Sequence, residues 1–324
     1  MSKPTPDDRR WMASAIALAG RGRGRTAPNP SVGCLVVRDG RLIGRGWTQP
    51  GGRPHAEARA IEAAGDVAGA TLYVTLEPCA HISARGPACT DLIIAAKPAR
   101  VVIACKDPDP RTDGKGIARI EAAGITVTQG VESEAARISM AGFLTRQAKG
   151  RPHVTLKLAA SLDGRIALPD GTSRWITGPA ARAHAHLERA RHEMILVGRG
   201  TLDADAPRLD VRLSGLEDRS PRRAVLGHGT APEGWTALRS PSDIAALDDV
   251  DHLFVEGGAS VAAAFLSADL VDRLLLYTAP IIVGAGRSAI DDLGLTDLSM
   301  AHGRWRLADT RKLGIDTLSV YERI

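Results

Sequence analysis

Apolar positions in the first half of the chain follow two periods, one typical of helices and one typical of strands. Helical spacing predicts helices over 7–20, 55–64, 89–96, 116–123 and 132–146. Short apolar or alternating runs predict strands over 32–37, 41–47, 71–76, 101–105 and 125–128. The Asp39-Gly40 pair between the first two strands is typical of a hairpin turn. Strands that alternate with helices indicate an α/β layered domain.

A polar segment, Lys149-Gly150-Arg151-Pro152, interrupts this alternation, and we place a domain boundary there. Beyond it, strands are predicted over 154–159, 194–197, 223–226, 253–255, 273–282, 304–309 and 317–321. Helices are predicted over 179–191 and 260–266. A length of 324 residues also favours two domains over one. We therefore expect one α/β domain over 1–148 and another over 152–324, with no internal repeat.

The composition is typical of a globular protein, with 44% hydrophobic, 24% charged and only 3% aromatic residues, so the cores should be aliphatic. The net charge of +5 suits anionic substrates, and the arginines are spread without a long basic run, so nucleic acid is not expected as a partner. With no signal-like start and no apolar run of about 18 residues, we expect a cytoplasmic protein without a membrane partner. Cys34 and Cys105 lie in apolar strands and are interpreted as core.

One histidine and the other two cysteines stand at the predicted ends of helices and strands. His55 opens a helix, Cys79 follows a strand, and Cys89 starts another helix. One imidazole and two thiols give tetrahedral zinc three ligands and leave a fourth position for water. Glu57 can reach the same metal only if the metal lies over the helix end, where Pro54 favours the first turn. Zinc lowers the pKa of bound water, and Glu57 would carry the released proton to a leaving amine.

These residues together resemble the zinc deaminase pattern, in which H-x-E is followed by P-C-x-x-C. The chain departs from it in one respect, because its two cysteines are spaced C-x9-C. Each alone has a plainer interpretation, as a surface histidine, a first-turn charge or a buried thiol. His81 lies between the two cysteines and is a rival ligand. A structural site with His81 as a fourth ligand would leave no open position. We interpret His81 as a substrate contact, because three ligands are already supplied.

The second half carries its own candidate site. Lys157 on a strand would ordinarily be an exposed edge charge, but Asp205 and Glu256 are candidate site acids that favour a functional role. Gly257-Gly258 links a predicted strand to a helix, and such a turn lets a phosphate approach the helix N-terminus. No G-x-G-x-x-G follows the first strand, so a Rossmann cofactor fold is not expected. Trp175, taken alone, would be interpreted as core.

Motifs in both halves resemble one known family. They are Pro28-Asn29-Pro30-Ser31-Val32-Gly33, Pro54-His55-Ala56-Glu57, Glu77-Pro78-Cys79-Ala80-His81, Leu156–Gly164, Trp175-Ile176-Thr177, Val255-Glu256-Gly257-Gly258 and Ala279–Gly284. On these motifs, which span almost the whole chain, the sequence is similar to the bifunctional deaminase–reductases of riboflavin biosynthesis, the RibD family. The resemblance implies a cytidine-deaminase-like three-layer α/β/α domain followed by a dihydrofolate-reductase-like α/β domain.

The resemblance also implies the chemistry. The first domain would hydrolyse the 2-amino group of 2,5-diamino-6-(5-phosphoribosylamino)pyrimidin-4(3H)-one with zinc. The second would reduce the ribosyl group of the product to ribityl with NADPH. The expected partner is therefore a small phosphorylated pyrimidine, and a homodimer through the reductase domain would fit the family.

The resemblance assigns roles to individual residues. In the first domain it implies His55, Cys79 and Cys89 as zinc ligands, Glu57 as proton donor, and Asn29 and His81 as substrate contacts. In the second, the implied cofactor contacts are Ala160, Trp175, Thr201, Asp205, Gly257, Gly258, Ala259 and Ser260. The implied substrate contacts there are Ser173, Arg189, Leu209, Arg212 and Glu256. Asp205 and Lys157 are the candidate catalytic residues, with the Asp205 carboxylate stabilising a protonated iminium at C1′.

The chain departs from the family pattern at three places. The segment between the two cysteines is one residue longer, with Ile82-Ser83-Ala84-Arg85-Gly86 where the family has His-Gly-Arg-Thr. Ala206 stands where the family often has a second aspartate. The segment between Gly227 and Asp251, which follows a strand near the usual cofactor contact, is short.

Two other functions remain as alternatives at this point. One is a zinc nucleoside or nucleic-acid deaminase with a divergent C-terminal domain, although that class expects C-x-x-C. The other is a structural zinc module fused to a phosphosugar-binding domain, in which Glu57 would be dispensable.

Overall fold

The computed structural model of the chain describes residues 4–81 and 85–324. The chain divides into two units, residues 1–150 and 151–324. In the described residues no helix is long and apolar enough to cross a membrane.

The first unit is a five-stranded mixed sheet with helices on both faces. Its helices are α1 (Pro6–Ala19), α2 (Ala56–Ala64), α3 (Cys89–Ala96), α4 (Lys115–Ala122), α5 (Ser133–Ser139) and α6 (Ala141–Lys149). Its strands are β1 (Gly33–Arg38), β2 (Arg41–Trp47), β3 (Thr71–Leu76), β4 (Arg100–Cys105) and β5 (Thr126–Gln129). The strand order is β2-β1-β3-β4-β5. Strands β2, β1 and β3 pair antiparallel, whereas β3, β4 and β5 pair parallel.

Glycines set the spacing between this sheet and its helices. A Cβ on Gly33 would lie 2.0 Å from the carbonyl oxygen of Ala15 in α1, and one on Gly46 would lie 2.2 Å from that of Ala56 in α2. Gly46 is paired with Cys34, the neighbour of Gly33, so the two glycines face opposite sides of the sheet. Helices α1 and α2 therefore pack on opposite faces, which gives the three-layer arrangement.

A buried ion pair ties α1 to the sheet. The side chain of Thr5 caps α1 and accepts from the backbone of Asp8, while the Asp8 carboxylate accepts from the backbone of Thr5. Asp8 is 1% exposed and also meets the Arg100 guanidinium at 2.9 and 3.0 Å. The Tyr73 hydroxyl donates to the same carboxylate. The aliphatic core of the unit, which includes Cys34 and Cys105, fills the space on both sides of the sheet.

The second unit is built on an eight-stranded sheet. Its helices are α7 (Pro179–Arg189), α8 (Arg199–Asp205) and α9 (Ala259–Ser267). Its strands are β6 (His153–Ser161), β7 (Arg165–Ala167), β8 (Met194–Gly198), β9 (Arg222–Leu226), β10 (Trp235–Leu238), β11 (His252–Val255), β12 (Arg273–Ala279), β13 (Arg287–Ser288), β14 (Trp305–Leu313) and β15 (Asp316–Arg323). The strand order is β10-β9-β8-β11-β6-β12-β15-β14. The first six strands run parallel, and the last two close the sheet antiparallel. Strands β7 and β13 form a separate pair.

The structure differs from the predicted elements at several places. The single helix predicted over 132–146 is two helices, because Met140 leaves the helical region at φ −108° and ψ 19°. The strand predicted over 273–282 ends at Ala279, since Pro280 cannot donate to a ladder. The sequence did not predict α8, β7, β10 or β13.

Candidate functional site

The first site is a cluster of one histidine and two cysteines at the ends of three elements. His55 is the N-cap of α2, Cys79 lies three residues beyond β3, and Cys89 is the first residue of α3. The Nδ1 atom of His55 is 3.3 Å from the Cys89 sulfur and 3.6 Å from the Cys79 sulfur. The three ligand atoms lie within 4.8 Å of one another, and both cysteines are buried.

The donor set of this cluster fits zinc. One imidazole nitrogen and two thiols are the soft ligands that tetrahedral zinc prefers, and three protein ligands leave one position open. Among the described residues this is the one cluster of its kind, and His81 is not a member of it. The cluster therefore corresponds to the three-ligand arrangement that the sequence predicts rather than to the four-ligand one.

Hydrogen bonding favours a thiolate in the cluster. The hydrogen bond between the two cysteines lowers the pKa of Cys79 to about 4, against the opposing effect of burial. The same hydrogen bond, together with burial, raises the pKa of Cys89. Because a metal binds the thiolate and not the thiol, the pair already favours one of its two anionic ligands.

Glu57 lies in the first turn of α2 and is 4% exposed. Burial raises the pKa of its carboxyl group. A carboxyl with a raised pKa beside a metal cluster is suited to taking and returning a proton near neutral pH. His55 and Glu57 thus both lie at the N-terminus of α2. This is the placement that their two-residue spacing requires if both are to reach one metal.

Asn29 joins the loop before α2 to the cluster. Its Nδ2 atom donates to the carbonyl oxygen of Gly52 at 2.7 Å and lies 3.2 Å from Nε2 of His55. A Cβ on Gly52 would lie 2.7 Å from the Asn29 amide nitrogen, so this contact requires glycine. The Arg85 guanidinium donates to the carbonyl oxygen of Gly51 in the same loop. Residues 82–84, where the family resemblance is broken, lie outside the described residues.

The second site lies at the carboxyl ends of parallel strands in the second unit. Glu256 follows β11, Lys157 lies on the neighbouring strand β6, and Arg189 ends α7. The Arg189 guanidinium meets the two Glu256 oxygens at 2.6 and 3.0 Å, and Lys157 Nζ lies 3.8 Å from the same carboxylate. Although burial opposes it, the charges of Arg189 and Lys157 lower the pKa of Glu256 to about 2. The structure thus joins Arg189 and Glu256, which the sequence had predicted as separate substrate contacts.

The glycine turn of this site lies at the start of α9. Gly258 is the N-cap of this nine-residue helix, followed by Ala259 and Ser260. A Cβ on Gly257 would lie 2.4 Å from that of Val261, and one on Gly258 would face the Thr201 hydroxyl at 3.8 Å. The close approach of Val261 therefore requires glycine at position 257, whereas a side chain at position 258 would make only an ordinary contact with α8. Such an N-terminus favours phosphate, which fits the pyrophosphate of NADPH.

Other predicted residues of the second site are spread over α8, β6 and the loops. Asp205 ends α8 and pairs with Arg174 at 3.4 Å between exposed side chains. Trp175 is 66% exposed, under the Arg182 guanidinium at 4.5 Å, so it is not a core residue. Three further predicted residues are the half-buried Ser173, Ala160, which is buried in β6, and Leu209, which is buried in the core.

Arg212 is linked to Arg189 through Asp210. Its guanidinium is 3.6 Å from the carboxylate of Asp210, which also pairs with Arg208 at 2.8 Å. An open cavity of about 510 Å³ is lined by Arg208, Asp210, Val211, Arg212, Ser214, Glu217 and Ser220. The backbone carbonyl of Asp210 also accepts from Arg189. Asp210 and Arg174 are site neighbours that the sequence did not predict, because neither stands in a recognisable motif.

Comparison with known proteins decides the family. The family described as the cytidine and deoxycytidylate deaminase zinc-binding region matches residues 5–105. The RibD C-terminal domain family matches residues 152–237 and 243–319. The riboflavin biosynthesis protein RibD of Escherichia coli K12 is 38% identical over 359 residues, covering 95% of this chain and 97% of that protein. The chain belongs to the RibD family.

Further relatives support membership of the RibD family over its full length. The RibD of Mycobacterium tuberculosis H37Rv is 39% identical and covers 95% of both chains. The structure of Acinetobacter baumannii RibD superposes with a TM-score of 0.88 at 34% identity, covering 98% of this chain and 99% of that one. A deaminase/reductase from Thermotoga maritima gives a TM-score of 0.89 at 35% identity with the same coverage. The predicted fold class, a cytidine-deaminase-like domain followed by a dihydrofolate-reductase-like domain, is confirmed.

Proposed function

We propose that this RibD-family chain performs two consecutive steps of riboflavin biosynthesis. The first is the hydrolytic deamination of 2,5-diamino-6-(5-phosphoribosylamino)pyrimidin-4(3H)-one, assigned to residues 1–148. The second is the reduction of the product's ribosyl group to ribityl by NADPH, assigned to residues 152–324. The observation that carries the proposal is the cluster of His55, Cys79 and Cys89 with the buried Glu57 beside it.

In the deaminase, His55, Cys79 and Cys89 would hold zinc. Zinc, when bound, supplies Lewis-acid activation of a water molecule. Glu57 would accept the proton of that water and return it to the departing amine, for which its raised pKa is suited. Asn29 would contact the edge of the pyrimidine, and His81 would be a second substrate contact.

In the reductase, the N-terminus of α9 would bind the NADPH pyrophosphate through the backbone of Gly257, Gly258, Ala259 and Ser260. NADPH, when bound, supplies the hydride. Ala160, Trp175 and Thr201 would line the cofactor. Asp205 would contact the cofactor and stabilise the positive charge that develops when the ribosylamine opens to an iminium.

Cationic residues of the reductase would bind the phosphorylated substrate. Arg212 lines an open cavity with Ser214 and Ser220, where a planar guanidinium can bind phosphate with two hydrogen bonds. Lys157, Arg189 and Glu256 form a charged group in which Lys157 is oriented by the carboxylate. Ser173 and Leu209 would complete the substrate pocket. We further propose a cytoplasmic homodimer formed through the reductase domain, with no nucleic-acid partner.

A coupled assay with separate readouts tests both activities. Purified protein loaded with zinc would be given the diaminopyrimidine ribosylamine phosphate and NADPH, and ammonia release and NADPH loss would be followed independently. We expect ammonia release that a zinc chelator abolishes, followed by NADPH consumption. Ammonia without NADPH loss would contradict the reductase assignment alone. The absence of ammonia from zinc-loaded protein would contradict the deaminase assignment.

A further inference from the structure

Glu77 is a buried carboxylate two residues before Cys79. It is not one of the three ligands of the cluster. It is 2% exposed, and its backbone N–H donates to the carbonyl oxygen of Cys105 at the end of β4. A buried carboxylate is costly unless its oxygens are hydrogen-bonded, so its partners show what it holds.

The carboxylate of Glu77 accepts four backbone N–H groups from one segment. Oε2 accepts from Asp107 at 3.2 Å and from Gly114 at 3.0 Å. Oε1 accepts from Gly116 at 3.0 Å and from Ile117 at 3.2 Å, in the first turn of α4. A helix leaves its first N–H groups without partners within the helix. Glu77, directly after β3, therefore caps α4 and closes the loop that precedes it.

The segment held by Glu77 packs directly on the backbone that carries Cys79. A Cβ on Gly116 would lie 2.3 Å from the carbonyl oxygen of Pro78 and 3.2 Å from the Thr90 hydroxyl. Thr90 donates its hydroxyl hydrogen to the carbonyl oxygen of Cys79 at 2.9 Å, and the Cys89 N–H donates to the Cys79 sulfur at 3.3 Å. The positions of both cysteines therefore depend on the same contacts that fix α4 against the end of β3.

The loop closed by Glu77 also contacts the segment that follows Cys79. The backbone N–H of Ala80, between Cys79 and His81, donates to the Thr112 hydroxyl of this loop at 3.5 Å. In the same loop the carboxylate of Asp109 accepts from the backbone and side chain of Arg111. A single side chain thus connects the backbone of a metal ligand with the loop beside His81.

We propose that Glu77 is a positioning residue of the zinc site, which holds the Cys79–Cys89 pair and the 106–114 loop in one arrangement. The inference rests on the zinc site proposed above. It predicts that metal binding and the order of the 106–114 loop depend on each other, although no ligand of the cluster lies in that loop. Groups that orient metal ligands typically change metal affinity by about 10- to 100-fold when they are removed.

The decisive variant is Glu77→Gln, which keeps the size of the side chain. One oxygen becomes an NH₂ group that faces two backbone N–H donors, so two of the four hydrogen bonds are lost. We expect the Kd for Zn²⁺, measured by competition with a chelating dye, to rise at least about 10-fold. We also expect a weaker thiolate-to-metal absorption band with Co²⁺ as the probe. Glu121→Gln, on the exposed side of α4, is the matched control and should leave both measurements unchanged.

A folded Glu77→Gln protein with wild-type Zn²⁺ affinity and an unchanged Co²⁺ spectrum would overturn the proposal and leave Glu77 a purely structural role. Wild-type protein that binds no Zn²⁺ would instead contradict the proposed function. Hydrogen–deuterium exchange on the unaltered protein covers the case in which the variant does not fold. We expect Zn²⁺ to slow exchange in 106–117 as well as around the ligands. Slowing confined to the peptides that contain His55, Cys79 and Cys89 would overturn the proposal.

Discussion

The guanidinium of Arg151 meets both carboxylate oxygens of Asp272, at 2.6 and 2.9 Å, in a pair whose side chains are each 10% exposed. The same carboxylate accepts from the backbone N–H of Val154 at 2.9 Å. Arg151 precedes β6 and Asp272 precedes β12, so the pair joins the starts of two neighbouring parallel strands. Burial opposes ionisation, but the hydrogen bond with Arg151 and the neighbouring charges lower the pKa of Asp272 to about 2.

Because of this pair, the free energy of unfolding of the second unit should fall at low pH. Because the folded pKa of Asp272 is below that of an unfolded aspartate, its contribution is complete above about pH 4 and is lost as the pH falls toward 2. Lowering the pKa of Asp272 from 3.8 to about 2 corresponds to about 2.5 kcal/mol. We expect Asp272→Asn to lower the free energy of unfolding at pH 7 by about 2–4 kcal/mol, since Arg151 stays buried without its charge partner.

Urea unfolding at pH 7 and pH 3 measures this effect. The difference between wild type and Asp272→Asn should be largest at pH 7 and should shrink at pH 3. Asp249→Asn is the control, because Asp249 pairs with Arg222 between exposed side chains and should change stability by less than about 1 kcal/mol. An equal difference at both pH values would rule out the titration of Asp272 as the cause.

Glu57→Gln should separate chemistry from metal binding. The amide keeps the size of the side chain but cannot accept a proton, so we expect ammonia release to fall by about 10²–10⁴-fold. The zinc content of the variant, measured by metal analysis, should stay close to that of the wild-type protein. Glu62→Gln is the control, because Glu62 lies on the same helix, exposed and paired with Arg59. Unchanged ammonia release from a zinc-loaded Glu57→Gln protein would remove Glu57 from the role of proton carrier.

Gly46→Ala should disturb the zinc cluster through the position of α2. A Cβ on Gly46 would lie 2.2 Å from the carbonyl oxygen of Ala56, next to His55, so the start of the helix must move. Gly44→Ala is the matched control, since its Cβ would lie 2.4 Å from the carbonyl oxygen of Ala60, one turn further along α2. We expect both variants to lose about 1–3 kcal/mol of stability.

The two glycine variants should differ in metal affinity. Zn²⁺ competition assays should show a larger loss for Gly46→Ala, whose clash is adjacent to the ligand. Equal Zn²⁺ affinity in both would show that the spacing of α2 from the sheet does not control the cluster.

Ala206→Gly should stabilise the reductase unit. Ala206 has φ 41° and ψ 54°, a left-handed conformation that disfavours a Cβ, and it stands where the family often has aspartate. We expect a gain of about 0.5–1 kcal/mol for glycine and a smaller gain for Ala206→Asp, because aspartate tolerates this conformation better than alanine. Ala204→Gly, inside α8, should instead lose about 1 kcal/mol. Thermal unfolding of the three variants decides this.

Asp205→Asn should affect only the second activity. Removing the carboxylate charge should lower NADPH consumption by about 10²–10³-fold, if it stabilises the developing cation, and should leave ammonia release unchanged. Asp203→Asn is the control, because Asp203 lies in the same helix, exposed, 3.6 Å from Arg199. Normal NADPH consumption by Asp205→Asn would remove Asp205 from the catalytic role.

The zinc cluster could be predicted from the sequence because its residues stand at element ends that local signals mark. Pro54 precedes the first turn that carries His55 and Glu57, and Cys89 follows a predicted loop. The Arg189–Glu256 ion pair could not be predicted, since its partners are 67 residues apart and meet only when α7 packs beside the end of β11. Helix α8 was missed because none of its seven residues is buried, so it has no apolar stripe.

Edge strands were the other weak point of the prediction. Strand β14 was predicted over 304–309 but continues to Leu313, and most of its residues are exposed. An edge strand with both faces near solvent has no apolar alternation to mark its end.

The break at Met140 between α5 and α6 also leaves no signal in the sequence, because methionine is a good helix former.

Strands β6 and β11 differ in length by more than a factor of two, with nine residues in β6 and four in β11. Their pairing runs from His153 opposite His252 to Leu156 opposite Val255. The remaining five residues of β6 extend for roughly 16 Å at about 3.3 Å per residue, supported on the other side by β12. The half-buried Lys157 and the buried Ala160 therefore lie on the part of β6 that extends beyond β11. The length of β11 thus sets how much of β6 is left unpaired with it, and a longer β11 would pair with the segment that carries both of these predicted site residues.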